Sequence, residues 1–102
     1  MDNIRVLIAD DHAIVRTGLA ALLDTEPGIE VVGEAADGAA AVRASLKLRP
    51  DVVIMDLMMP VMDGVEATGQ IHAKLPETKV LLLTTSTVSG DLSKAIENGA
   101  TG

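Results

Sequence analysis

Short, largely apolar runs recur along the chain at 4–9, 29–35, 52–55 and 79–84, the second interrupted by Glu30, Gly33 and Glu34. Strands that alternate apolar and polar residues face water on one side, whereas largely apolar runs belong to strands covered on both faces. Between the runs the apolar period changes. From Ala13 to Leu23, the residues Val15, Leu19, Leu22 and Leu23 fall near helical spacing, and Thr25-Glu26-Pro27-Gly28 ends the segment. Asp37-Gly38 closes the second run, and a helix is predicted over 39–48, stopped by Arg49-Pro50-Asp51. Asp63 followed three residues later by Glu66 marks the start of a third helix reaching about Lys74, which Leu75-Pro76-Glu77 breaks. A fourth helix is predicted over 91–98, with Gly99 at the position after its end. Strands alternating with helices predict repeated βαβ units, an α/β domain with helices on both faces of a parallel sheet.

In such a sheet right-handed crossovers bring the carboxyl ends of the strands to one rim, where ligands bind. Asp10 and Asp11 directly follow the first run, Asp56 follows the third and Thr84 ends the fourth. Carboxylates crowded on that rim repel by several kcal/mol unless a cation or shared proton offsets them, so the pattern points to a divalent metal. An all-oxygen, strongly negative donor set suits magnesium better than zinc or copper. A carboxylate beside such a metal can attack phosphorus, because the cation screens it from the phosphoryl oxygens.

Composition narrows the reading. With 102 residues the chain has room for one domain, 1–102. A net charge of −7 disfavours nucleic acid or an anionic membrane as a direct partner, so a DNA reader is expected elsewhere. Cysteine is absent, which removes disulfides and thiolate ligands and fits a reducing compartment. Apolar stretches fall short of a membrane span, no secretory signal is visible, and a cytoplasmic location is expected. Phe, Tyr and Trp are also absent, so the core must be aliphatic and no ring is available to stack on bases or flavins.

These features together resemble the receiver domain of two-component response regulators. The matching stretches are Asp10-Asp11-His12, Asp56-Leu57-Met58-Met59-Pro60-Val61-Met62-Asp63-Gly64, Leu83-Thr84-Thr85 and Asn98-Gly99-Ala100-Thr101-Gly102. Asp10-Asp11-His12 followed by Val15-Arg16-Thr17-Gly18-Leu19 looks most like regulators that carry a LuxR-type helix-turn-helix after the receiver. The resemblance implies a three-layer, doubly wound CheY-like (flavodoxin-like) fold of strand order 2-1-3-4(-5). The fifth strand and last helix, with the lysine and switch aromatic that family members use there, would lie beyond Gly102.

By position, the resemblance makes Asp56 the acceptor of a phosphoryl group from a phosphohistidine on a sensor histidine kinase. Asp11, Asp56 and the backbone carbonyl of Met58 would hold Mg²⁺, Asp10 would contact it through water, and the Thr84 hydroxyl would swing onto the phosphoryl group. An output domain beyond this chain would contact DNA. Two copies would pair on phosphorylation, or exchange strands through the open apolar edge expected at 80–83. Without the lysine and aromatic, this segment is expected to be impaired in phosphoryl stabilisation and signal transmission.

Other residues read structurally. Asp63 is expected to cap a helix, Met55 and Met59 to fill the core, and Met58 and Met62 to be partly exposed. Pro60 would fix the loop, His12 and His72 would be solvated, and Arg16 would be a surface charge on the first helix. A magnesium-dependent phosphohydrolase with an aspartyl nucleophile is the alternative function. Such enzymes need an acid two residues after the nucleophile, where this chain has Met58. A flavodoxin-like cofactor carrier would need hydroxyls and amides after the first strand, and Asp10 and Asp11 would repel its phosphate.

Overall fold

The computed structural model describes residues 3–83, in the order β1 (Ile4–Ala9), α1 (Ala13–Asp24), β2 (Ile29–Ala35), α2 (Gly38–Leu48), β3 (Val52–Asp56), α3 (Gly64–Lys74) and β4 (Lys79–Leu83). Every strand pair is parallel, and the sheet runs β2-β1-β3-β4, the order expected from the sequence. Thr84 and the helix expected over 91–98 lie outside the described residues.

Right-handed crossovers put α1 on one face of the sheet and α2 and α3 on the other. On the second face Leu7, Ala9, Val53, Met55 and Val80 project from alternate strand positions into a core completed by Ala41, Val42, Ala67 and Ile71. This core is wholly aliphatic, with Met55 and Met59 filling it as expected. On the α1 face Val6 and Ile8 are buried, but Leu81 is 43% exposed. The helical stripe read from the sequence is only half realised there. No α1 residue is fully buried, and Val15 and Leu22 are exposed, because among the described residues α1 packs mainly on β1 and β2.

Caps divide the helices into two kinds. Asp37 accepts a hydrogen bond from the Ala40 amide (2.7 Å) and Asp63 accepts from Glu66 (2.9 Å), each satisfying a donor that the first turn leaves free. His12 stands at the cap position of α1 and its side chain makes no such bond, which leaves the preceding acids for another use.

The amino end of the sheet is laced by polar bonds. Arg5 donates through its guanidinium to the carbonyls of Leu48 (2.7 Å) and Arg49 (3.1 Å), and through its amide to the Asp51 carboxylate (2.8 Å). The Asp51 and Lys79 amides and the Thr78 hydroxyl extend the lacing from β1 through Pro50 and Asp51 to β4.

Candidate functional site

At the carboxyl end of the sheet, β1 and β3 are direct neighbours, with Ala9 opposite Met55. The residues following each therefore leave the sheet side by side. Asp10, Asp11, His12 and Asp56 converge so closely that one ligand atom from each lies within 4.8 Å of all the others. This brings together the carboxylates picked out from the sequence. Met58, whose carbonyl was named with them, follows in the next loop and donates its amide to Asp56 Oδ1 (3.2 Å). Met58 is 67% exposed, and Met62 is half-buried, both as expected.

Asp10 is buried and Asp56 half-buried, while Asp11 is exposed. Burial raises the Asp56 carboxyl above its ordinary value, the charges of Asp10 and Asp11 push it further up, and the Met58 amide bond opposes them. Holding Asp56 ionised here costs free energy, and a cation shared by the carboxylates would remove that cost. The donors are carboxylate oxygens with one imidazole nitrogen, a set that fits a hard divalent ion.

Two residues differ from their sequence reading. His12 is exposed, but it is not simply solvated: Nδ1 lies 2.9 Å from Asp10 Oδ1 and 3.0 Å from Asp11 Oδ1. The hydrogen bond to Asp10 and then the charge of Asp11 raise the His12 pKa. Asp10 Oδ1 also accepts the His12 amide at 2.7 Å, which fixes this carboxylate from two sides. Arg16 is not a free surface charge either. Its side chain is 19% exposed, Nη1 donates to the Asp10 carbonyl oxygen (2.6 Å), and Nε meets Glu34 Oε1 (3.3 Å). Its place one helical turn after His12 was legible; its turn inward toward the strand ends was not.

The loop from Asp56 to α3 is tightly folded. Gly64 donates its amide to the Leu57 carbonyl (2.9 Å), and a Cβ there would collide with the Asp56 carbonyl oxygen, so only glycine permits the approach. A Cβ at Gly38 would likewise strike the Met62 carbonyl, which seats the loop against the start of α2. Between these contacts Val61 has φ 69°, and the Met62 amide returns to the Pro60 carbonyl at 2.7 Å. A β-branched residue in this region is strained, and the strain lies in the loop that carries Met58.

Comparison with known proteins adds a family. Residues 6–102 match the model of the response regulator receiver domain. The transcriptional regulatory protein LiaR of Bacillus subtilis is 50% identical over 97 residues, covering 95% of this chain and 46% of LiaR. The chain thus spans about half the length of the curated relatives it matches. A two-component response regulator of the LuxR family from Aurantimonas superposes with a TM-score of 0.92 at 40% identity, covering 99% of this chain and 72% of that one. The receiver domain of RcsB from Salmonella enterica, solved with the phosphomimetic BeF₃⁻, gives 0.86 at 32% identity, covering 97% and 74%.

Proposed function

Because the chain belongs to the response regulator receiver domain family, we propose that it is a phosphorylation switch with Asp56 as its acceptor. The convergence of Asp10, Asp11 and Asp56 within 4.8 Å carries this reading, since their repulsion has no structural benefit and a divalent cation would relieve it. Asp11, Asp56 and the Met58 carbonyl would hold Mg²⁺ directly, with Asp10 outside them. Bound there, the ion would screen the carboxylates from an approaching phosphoryl group and neutralise charge as it transfers.

An Asp56 oxygen attacks the phosphorus of a phosphohistidine on a sensor kinase. The O–P bond forms as the P–N bond breaks, and the released imidazole nitrogen takes a proton from solvent. Asp10 is held beside the site by the His12 amide and ring. The Met58 amide holds one Asp56 oxygen, leaving the other to react. Thr84 supplies a hydroxyl to the phosphoryl oxygens. No side-chain acid follows Asp56 at Met58, which disfavours the hydrolase alternative and leaves the acyl phosphate long-lived.

The same reading makes residues 1–102 one receiver unit of a cytoplasmic transcription regulator whose following output domain alone touches DNA. Similarity to LiaR and to LuxR-family regulators supports it. Among the described residues no helix is long and apolar enough to cross a membrane. Incubation with Mg²⁺ and acetyl phosphate, followed by intact-mass measurement, tests the proposal. Wild type gains one phosphoryl group and Asp56→Ala gains none; equal labelling of both proteins would refute it.

A further inference from the structure

Arg16 joins three elements at one point. It rises from the first turn of α1, donates from Nη1 to the main-chain carbonyl at the end of β1, and meets through Nε a glutamate of β2. Asp10 is thus gripped on both sides of its α-carbon, because its amide already donates to the Ala35 carbonyl at 3.0 Å. The bond from Arg16 fixes the plane of the peptide linking Asp10 to Asp11. The Asp10 carboxylate has the His12 amide as a further anchor, whereas Asp11 is exposed and its carboxylate meets the His12 ring at 3.0 Å. The main chain of Asp11 is thus held before it by the Arg16 bond and after it by the His12 amide, and the Arg16 bond constrains where the Asp11 carboxylate can lie.

We propose that Arg16, clamped by Glu34, is a positioning residue that orients the Asp10–Asp11 peptide so that Asp11 meets a divalent cation together with Asp56. This rests on the phosphorylation-switch reading. The guanidinium touches neither cation nor phosphoryl group; it acts through the main chain of a ligand pair. Its charge works the other way, because a positive group near the site repels a cation. Orientation and charge thus predict opposite outcomes on removal of Arg16. The role also requires a planar fork that serves two acceptors at once, which a lysine ammonium does not reproduce.

The test measures Mg²⁺ affinity by calorimetry in the full-length protein, and Mg²⁺ dependence of labelling by acetyl phosphate, for Arg16→Gln, Arg16→Lys, Glu34→Gln and Glu34→Ala. Both Arg16 variants are expected to bind Mg²⁺ roughly tenfold more weakly, with labelling restored by raised Mg²⁺, as when a supporting partner of a metal ligand is lost. Glu34→Gln keeps an acceptor oxygen and should stay near wild type, and Glu34→Ala should show a smaller loss than the Arg16 variants. Unchanged or tighter Mg²⁺ binding by Arg16→Gln, or full affinity in Arg16→Lys, overturns the inference. A lowered melting temperature with unaltered Mg²⁺ affinity also overturns it, since that is the signature of a purely structural bond. Should Arg16→Gln fail to fold, Arg16→Lys and Glu34→Ala decide by the same criteria. Wild type that neither binds Mg²⁺ nor accepts a phosphoryl group would instead remove the switch reading itself.

Discussion

Replacing Asp56 by Asn should make the metal-free protein more stable, although it destroys the proposed acceptor. Asn keeps the shape and still accepts the Met58 amide bond, so the main change is removal of one charge from the Asp10, Asp11 and Asp56 group. Two charges about 5 Å apart interact by about 0.8 kcal/mol at the permittivity of water and by about 3 kcal/mol at a value near 20. Asp56 is half-buried and Asp11 exposed, which places each pair between these limits, and the nearby imidazole offsets part of the sum when protonated. A net gain of about 1–2 kcal/mol near neutral pH in EDTA follows.

The pH dependence has a definite sign. The folded-state pKa of Asp56 is raised, so the native protein binds its proton more tightly than the unfolded chain does. Wild-type stability therefore falls as pH rises from the ordinary carboxylate value through the raised one, and the advantage of Asn is complete only above that window. Urea denaturation of both proteins in EDTA at several pH values, and again in excess Mg²⁺, measures it. The advantage should shrink in Mg²⁺, because the ion stabilises wild type by binding its folded state. An Asn variant no more stable than wild type in EDTA, or an advantage indifferent to Mg²⁺, would refute the electrostatic account of this rim.

Other outcomes can be checked by the same denaturation. Val61→Gly should add about 0.5–1 kcal/mol, since relief of the strained φ exceeds the extra backbone entropy lost on folding. Ser45 is fully buried in α2 and among the described residues its hydroxyl has no hydrogen-bond partner, so Ser45→Ala should add about 1 kcal/mol.

What was legible in the chain depended on how local its cause was. The bounds of β1 and β2 were readable because turn residues flank each apolar run, and Asp63 was readable as a cap because the Glu66 amide it serves is three residues away. The carboxylate group was readable because strand ends in a parallel sheet share a rim. Arg16 was not, because its acceptors are a main-chain carbonyl of another element and a glutamate on β2, contacts that no spacing encodes. The His12 ring was missed for a related reason: its partners are its immediate neighbours, and only the backbone turn after β1 aims it back at them. The register shift between β1 and β2, where Val6 faces Val31 but Leu7 faces Gly33, also left no mark on the apolar pattern.

The lacing of Arg5, Asp51 and Thr78 gives the domain a hard end and a soft end. Those bonds tie β1, β3 and β4 together far from the acidic rim, through main-chain carbonyls and amides whose strength is indifferent to what happens at Asp56. The opposite end carries repulsion, a strained Val61 and an exposed Met58, all of them sources of local opening at low cost. A change of charge at the rim can thus rearrange the loops there while the sheet beneath stays registered, as a hinged cover moves on a fixed frame.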